Sequence, residues 1–315
     1  MSALPTSKLE RWKYSNLPAF VGQDYGVQPL SVGYSGDESF IAQDDLSQSL
    51  WASDVYQDMA LWDGMQDVLS IVIPEDKSVD NPVYIRVEEE QAQVKSEGAI
   101  HIHLCKNASL TLHDFIECGG WINRSMHITL EEGAELIHIR QGRGQGVVTS
   151  LVQVHQAANS TYNEYTLNNH SSFMRDQIHV RLSDENAKCY LSGAKVLSGD
   201  QHCDTCILIE HEAPNCYSNQ NYRNILNDQS RGVFQGKVHV HQIAQQTDGY
   251  QLCNSILLSD KCEMDTKPEL EIYADDVKCS HGATTAQLDE DPLFYLQARG
   301  IPKDEAQALL LQAFI

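Results

Sequence analysis

The sequence contains few basic residues, few aromatic residues and no long apolar segment. Only 22 of its 315 residues are lysine or arginine, against 44 aspartates and glutamates, which gives a net charge of −22. A field of that sign repels nucleic-acid phosphates and anionic lipid headgroups, so we expect neither nucleic acid nor a membrane as a partner. No run of about 20 apolar residues is present, and residues 1–12 lack the apolar stretch of a signal peptide.

A regular cysteine framework is also missing. The nine cysteines are an odd number, and they are scattered without even spacing at positions 105, 118, 189, 203, 206, 216, 253, 262 and 279. Such a pattern does not indicate a small secreted domain held by disulfides. We therefore expect reduced thiols in a cytoplasmic protein.

The common catalytic motifs are absent too. There is no Gly-x-x-x-x-Gly-Lys-Ser/Thr phosphate loop, because the glycine-rich stretch 142–146 lacks the lysine and the hydroxyl residue. Neither a Gly-x-Ser-x-Gly elbow nor a His-Glu-x-x-His helix occurs. We expect a protein that is not an enzyme. A pair of carboxylates of the glycosidase type cannot be identified or dismissed by motif, which keeps a carbohydrate-binding protein as an alternative.

Short stretches of alternating apolar residues recur from Ile100 onward and predict β-strands. One apolar position from each stretch gives the series 102, 128, 152, 180, 207 and 238, with gaps of 26, 24, 28, 27 and 31 residues. A repeat of this length with polar turns and no helical period is typical of stacked coils that bury their apolar faces on one another. The pattern predicts a parallel β-helix. An antiparallel sandwich is the alternative, but Asp-Gly hairpin signals occur only at 63–64 and 248–249.

The two ends of the chain differ from the middle. Spaced apolar residues over 44–66 predict one or two short helices, followed by strands at 68–73 and 83–87. At the other end, Asp291-Pro292 predicts a helix start, Gly300 its end, and Pro302 the start of a second helix. We therefore divide the chain into an N-terminal, mostly helical segment (1–66), a β-helix core (67–285) and a C-terminal helical segment (286–315).

Several stretches resemble the shared core of the SufB/SufD family in order and spacing. They are Ser-Arg-Gly-Val-Phe-Gln-Gly-Lys at 230–237, Ala-Gln-Gln-Thr-Asp at 244–248, Leu-Leu-Ser-Asp at 257–260, the run from Thr266 to Thr284, and 291–301. The stretch at 5–14 and Cys-Ser-His-Gly at 279–282 resemble the SufD branch. The resemblance implies a right-handed parallel β-helix with short helical ends, a SufB-like partner on the β-helix and a SufC-like ATPase on the C-terminal helices. The family pattern continues for a few helical turns beyond Ile315, so we expect a truncated C-terminal segment.

Cys279 and His281 are the candidate site residues. They lie two apart in an alternating segment, so an extended backbone places both side chains on one face. A thiolate and an imidazole suit iron or zinc, but a cluster needs about four ligands and this pair supplies two. The resemblance implies that they face SufB across the interface where a nascent iron–sulfur cluster forms, with none held stably by this chain alone. A small packing residue for Cys279 and a hydrogen-bonded core residue for His281 are the alternatives.

Three other groups of residues could bind a metal. Cys203 and Cys206 form a CxxC, but they stand without a second such pair and favour packing. The His101-x-His103 and His239-x-His241 pairs each share a strand face, yet without nearby carboxylates they favour a polar, solvent-facing role. Asp275-Asp276 favours a turn over a cation site.

The sequence thus predicts a non-ATPase subunit of a SufB–SufC–SufD complex in iron–sulfur cluster assembly. A homodimeric, SufB-like scaffold that builds clusters without a second kind of subunit is the first alternative. A carbohydrate-binding β-helix is the second, and an aromatic content of only 8% argues against it.

Overall fold

The computed structural model describes residues 4–21, 25–42, 61–62, 64–168 and 172–315. Three 3-10 helices lie at Glu10–Trp12, Leu17–Ala19 and Glu38–Phe40, and the helices predicted over 44–66 fall mostly outside the described residues. Eighteen strands and two helices follow in chain order. The strands are β1 Gly26–Pro29, β2 Val32–Ser35, β3 Asp67–Ile73, β4 Val83–Glu89, β5 Val94–Leu104, β6 Ser109–Cys118, β7 Trp121–Leu130, β8 Glu135–Gly144, β9 Val147–Gln156, β10 Thr161–Asn168, β11 Phe173–Leu182, β12 Lys188–Leu197, β13 His202–His211, β14 Tyr217–Leu226, β15 Arg231–Val240, β16 Thr247–Leu257, β17 Glu263–Ile272 and β18 Val277–Gln287; the helices are α1 Glu290–Ala298 and α2 Lys303–Phe314.

The strands form two sheets that face each other across one interior, and every pairing is parallel except that of β2 with β4, which is antiparallel. The odd sheet runs in the order β1-β5-β7-β9-β11-β13-β15-β17, with β3 also pairing with β5, and the even sheet runs from β2 through β4 to β18. From β5 onward, each odd strand and the even strand after it make one coil, and the described residues contain about seven coils. The fold is therefore a parallel β-solenoid, as predicted. The antiparallel sandwich is wrong, since the coils pair in parallel throughout.

Alternation along each strand decides which side chains fill the interior. On β6, buried and half-buried residues alternate over all ten positions, and β12 repeats the pattern with exposed ends. Leucine, isoleucine and valine dominate the inward positions and form one continuous core cluster from Leu30 to Cys262. Each fully buried side chain of this kind contributes roughly 1.5–3 kcal/mol. No coil can bury its inward face without its neighbours, so the stack is the folding unit.

The corners between the odd and even strands adopt the left-handed backbone conformation. One residue at each of the seven corners from β3–β4 to β15–β16 has a positive φ between 54° and 69°, and the series is Asp76, Asn107, Gly133, Asn159, Asn186, Asn215 and Gln246. Each of these N–H groups donates to a carbonyl at the corner of the next coil, as Asn159 N does to Glu185 O at 3.0 Å. Asparagine and glycine tolerate this conformation better than other residues, which explains why they recur here.

We predict that replacing Asn159 by valine destabilises the protein by about 1–2 kcal/mol, because a β-branched residue is strained at positive φ. The Asn159 side chain is exposed and its φ is 59°, so packing contributes little to the effect. Asn159→Gly is the matched control and should leave the urea unfolding midpoint nearly unchanged. Equal midpoints for the valine and glycine variants would contradict the role assigned to the corner.

The middle coils contain a buried network of charged residues that crosses the interior. Arg124 on β7 donates to both carboxylate oxygens of Asp114 on β6, at 2.7 and 2.5 Å. Arg140 on β8 similarly donates to Asp176 on β11 at 2.7 and 3.0 Å, and to Glu164 on β10 at 3.3 Å. Burial alone would raise the pKa of Asp114, but the Arg124 guanidinium and hydrogen bonds outweigh it and hold that pKa well below its usual range. The charges therefore stay ionised and tie the two sheets together.

A neutral histidine is also buried in the interior. His211, the last residue of β13, lies 2.8 Å from Ser218 Oγ, and burial lowers the pKa of its ring to about 3. In the unfolded chain a histidine has a pKa of about 6.5. As the pH falls below 6.5, the unfolded chain takes up a proton that the folded chain does not bind. The contribution of His211 to the free energy of unfolding is therefore fully present above pH 6.5 and is lost progressively as the pH falls towards 3.

We predict that His211→Gln, which keeps a polar group beside Ser218, reduces the loss of stability between pH 7 and pH 4.5. The loss in the free energy of unfolding should be smaller by about 2 kcal/mol, because the unfolded variant has one group fewer that takes up a proton in this range. Urea unfolding at the two pH values measures it. His113→Gln, a change at a half-buried outward position, is the control and should keep the wild-type dependence. A variant as pH-sensitive as wild type would contradict the assignment.

The N-terminal segment packs across the outer face of the odd sheet. Trp12 is fully buried, and the Arg175 guanidinium lies over its ring at 4.7 Å. Ser15 donates to Asp204 on β13 at 2.6 Å, and Gln235 on β15 donates to the carbonyl of Arg11 at 3.1 Å. This segment therefore bridges β11, β13 and β15, which explains why β13 is buried on both faces.

The C-terminal helices begin and end close to their predicted positions. The side chain of Asp289 caps α1, so the predicted cap at Asp291 is wrong by two residues and Pro292 lies within the first turn. Gly300 has a φ of 87° and follows the end of α1, as predicted. Both helices are mostly exposed, and among their residues only Ala306 is fully buried. Among the described residues, no helix is both long and apolar enough to cross a membrane.

Candidate functional site

The last coil leaves the solenoid open at one end. Within the described residues, strand β17 pairs only with β15, and strand β18 pairs only with β16. Each strand therefore has one edge whose backbone N–H and C=O groups face away from the stack. Most side chains of β18 are exposed, in contrast to the buried inward positions of β14 and β16. An unpaired parallel edge of this length is a template for another strand.

Cys279 and His281 lie on this terminal strand. The register places Cys279 opposite Gly249 and His281 opposite Gln251, so both continue columns of inward-facing residues. Cys279 is half-buried and contacts a small apolar cluster that contains Val238. His281 is exposed because β18 has no neighbour on its far side. The structure thus places the two candidate residues on the open end, two positions apart.

Glycine at position 249 leaves room for the candidate thiol. A Cβ atom added to Gly249 would lie 3.3 Å from the Sγ atom of Cys279, which is tighter than an ordinary contact. Burial raises the pKa of Cys279, so the residue is a thiol and not a thiolate at neutral pH. A metal ion or a cationic neighbour would be needed to hold it as a thiolate. Within the described part of the chain, no cluster of three metal-binding side chains includes Cys279 or His281.

The CxxC residues do not form a paired site. Cys203 and Cys206 are both buried on β13, and they point to opposite faces because they are three residues apart in a strand. Cys203 belongs to the core cluster, where burial raises the pKa of its thiol to about 11. The predicted packing role is confirmed. Asp275 and Asp276 also lie where predicted, in the turn between β17 and β18.

The histidine pairs lie on the outer faces of their strands, as predicted, but the expectation that no carboxylates lie near them is wrong. His101 is buried and lies 2.7 Å from Asp67, and His103 Nε2 lies 2.8 Å from Glu131 Oε1. His239 and His241 lie beside Glu210. In each case the carboxylate lies on a different strand or directly after its end, and is far away in sequence. Two groups of three potential metal ligands result: His103 with Cys105 and Glu131, and Glu210 with His239 and His241.

The C-terminal helices expose a second surface. Phe314 packs against Arg223 of the even sheet, whose guanidinium lies 5.2 Å from the ring centre and donates to the Phe314 carbonyl. The apolar side chains of α2 are only partly covered, since Leu309 remains exposed. Large apolar side chains also lie exposed on α1 and on the outer face of the even sheet, namely Phe294, Tyr295, Tyr165, Leu167 and Leu252.

The fold and this end define a parallel β-solenoid whose terminal coil is unpaired within the described residues and carries Cys279 and His281. A family model described as the SUF system FeS cluster assembly SufBD core domain matches residues 85–314, which is most of the chain. The chain therefore belongs to the SufB/SufD family, and its similarities are to SufD.

Three relatives illustrate the similarity. The chain is 40% identical over 141 residues to iron-sulfur cluster assembly protein SufD of Escherichia coli. The aligned region covers 45% of this chain and 33% of that protein. It is 37% identical over 191 residues to a SufBD family protein of Synechocystis, covering 59% and 42% respectively. It is 30% identical over 268 residues to the chloroplastic protein ABCI7 of Arabidopsis thaliana, covering 80% and 56%. The chain thus spans between a third and a little over half of these relatives.

We predict that the half-buried thiols Cys105 and Cys279 are alkylated before the other seven, which are buried in the folded chain. Their reaction at pH 7.5 should be slower than that of a free cysteine, because burial raises the pKa of both thiols. Mass spectrometry of peptides after brief treatment with iodoacetamide measures this order, with the urea-unfolded chain as control. Early labelling of Cys203 or Cys206 would contradict the packing described for β13.

Proposed function

We propose that this chain acts in iron–sulfur cluster assembly as a non-catalytic subunit of a SufB–SufC–SufD complex. Its open end pairs with a SufB-like solenoid, and the nascent cluster forms transiently at that interface with His281 and Cys279 contributing from this side. The C-terminal helices contact a SufC-like ATPase. The relatives from E. coli and Synechocystis are named as iron-sulfur cluster assembly proteins, which supports the general role.

The unpaired strands of the last coil carry this proposal. β17 and β18 offer two adjacent edges whose backbone groups can continue into the sheets of another solenoid. A partner with edges of its own would satisfy both sets of hydrogen bonds at once. Side chains at the junction would then become buried, including His281, which is exposed in the isolated chain.

The shortage of ligands supports a shared cluster rather than a resident one. His281 and Cys279 supply two donors where an iron–sulfur cluster takes about four. A partner strand along β18 would bring further donors to the same place. The raised pKa of Cys279 agrees with this arrangement, since the thiol needs a nearby metal to become a good ligand.

The exposed apolar residues of α1 and α2 support a second contact. Phe294 is 73% exposed and Tyr295 58%, values that are high for large side chains on consecutive positions of a helix. The chain has no phosphate loop of its own. ATP hydrolysis would therefore be supplied by the partner on these helices. Free thiols at all nine cysteines agree with a reducing cytoplasm.

We predict that His281→Ala leaves the complex intact but removes its cluster, because the residue supplies a ligand and little packing. The full chain is purified anaerobically with its cognate SufB and SufC, and the complex is assayed for subunit stoichiometry, iron and acid-labile sulfide. His113→Ala, a histidine on the outer face of β6, is the matched control and should retain the wild-type cluster content.

Two results would overturn separate parts of the proposal. Full iron and sulfide in the His281→Ala complex would remove the residue from the site while leaving the pairing intact. Failure of the wild-type chain to bind SufB would remove the pairing itself. A homodimer in isolation, measured by sedimentation, would favour the self-sufficient scaffold if it also held iron and sulfide without SufB, since the same open edges exist in every copy.

A further inference from the structure

Glu210, His239 and His241 converge on the outer face of the odd sheet. Glu210 on β13 and His239 on β15 are direct partners in the strand register, so their side chains leave the sheet side by side. His241 follows two residues later, just after β15 ends, and its backbone N–H still bonds to the carbonyl of His211. The extension of the pairing keeps His241 on the same face as His239.

The distances within this group fit metal ligands better than hydrogen bonds. Glu210 Oε1 lies 3.6 Å from His239 Nδ1 and 3.9 Å from His241 Nε2. Both separations exceed a hydrogen bond. Two donors that each lie about 2 Å from one ion can be up to about 4 Å apart, and the three ligand atoms all lie within 4.8 Å of one another. Small rotations of the rings would bring them onto one ion.

A neighbouring histidine orients the carboxylate. His179 Nε2 lies 2.6 Å from the other carboxylate oxygen, Oε2, so Oε1 alone faces the two imidazoles. The edge of Tyr273 packs against the ring of His239, with ring centres 5.6 Å apart. The neighbouring cations are already paired, Lys237 with Glu271 and Arg181, the register partner of Glu210, with Glu212. Such outer partners fix the geometry of ligands in metal sites.

The group is protected but accessible. The exposed fractions of the side chains are 10% for Glu210, 20% for His239 and 39% for His241. The two rings are therefore partly exposed, although Nε2 of His241 is itself buried and has no hydrogen-bond partner within the described part of the chain. The carboxylate is desolvated enough to favour a cation beside it. The group lies on the outer face of the odd sheet, whereas His281 lies on the terminal strand of the even sheet.

We propose that Glu210, His239 and His241 form a binding site for a divalent transition-metal ion such as Zn²⁺ or Fe²⁺. Two imidazoles and one carboxylate are a donor set that both ions accept, and solvent or an exchanging ligand completes the coordination. This site is independent of the proposed partner interface and belongs to the chain alone.

In the other group of three potential ligands, His103, Cys105 and Glu131, the carboxylate is already hydrogen-bonded within the protein. His103 Nε2 lies 2.8 Å from Glu131 Oε1, which is hydrogen-bond distance, and the second oxygen of Glu131 accepts from the backbone N–H of Lys106 at 2.9 Å. Both oxygens are thus engaged within the protein. His103 is therefore the matched control for a test of the Glu210 site.

The test titrates the full, reduced chain with Co²⁺ under anaerobic conditions and follows the visible d–d absorption. We expect saturation at one equivalent in the wild type. Glu210→Gln, which keeps a hydrogen bond to His179, and His241→Ala should each weaken binding by at least about tenfold, the lower bound for loss of an outer partner of a metal ligand. His103→Ala should bind as wild type does, and circular dichroism verifies the fold of each variant.

A gain of signal provides an independent check. His239→Cys should bind Co²⁺ with a new thiolate-to-cobalt charge-transfer band that the wild type lacks. The proposal is overturned if the wild type binds no Co²⁺, if Glu210→Gln binds as tightly as wild type, or if the wild type itself shows the thiolate band. The last result would place the ion on cysteines, and none of these outcomes depends on SufB or SufC.

Discussion

The hydrogen-bonded register between successive coils governs the rest of the structure. Because the strands are parallel and in register, a residue has the same orientation as its partner one coil earlier. The environment of a side chain is therefore set by its column and by its position in the stack. An inward-facing column is buried in the middle of the stack and exposed at the end. His281 illustrates this, since its column partner Gln251 is buried while His281 itself is exposed.

The buried charges make that register specific. A parallel stack of apolar coils could slip by two residues and still bury leucine and valine. Asp114 and Asp176 do not allow such a slip, because each must meet its arginine from the opposite sheet at one height in the interior. A slipped coil would leave a buried carboxylate unpaired, which is far costlier than an imperfect apolar contact. We infer that the network contributes more to the choice of register than to net stability.

Much of the fold could be predicted from alternation and spacing, but the register could not. Of the positions chosen from the sequence, 102, 128, 180 and 238 are true register partners, whereas 152 and 207 lie two residues from theirs, 154 and 209. Alternation of apolar residues determines which face of the sheet a side chain is on, but it does not determine which residue of the neighbouring strand it pairs with. The repeat grows from 26 residues, as between Trp121 and Val147, to 32 between Arg231 and Glu263, which hides the true spacing.

The candidate residues on β18 were predictable from their motif, whereas the carboxylate partners of the histidines were not. Glu210 is 29 residues from His239, and Glu131 is 28 residues from His103. No local window of sequence contains both members of either pair. A search for carboxylates one coil away from each histidine would have found them, because the solenoid converts a separation of one repeat into direct contact.

The N-terminal segment has a consequence for the order of folding during synthesis. Ser15 and Asp204 are 189 residues apart, and Arg11 and Gln235 are 224 apart. At about 5–20 residues per second, the ribosome completes the docking surface roughly 10–45 s after it has made Trp12. Until then the tryptophan has no place to pack, although the early coils can already stack. The nascent chain therefore passes through a period in which its first apolar segment is available to chaperones or to other chains.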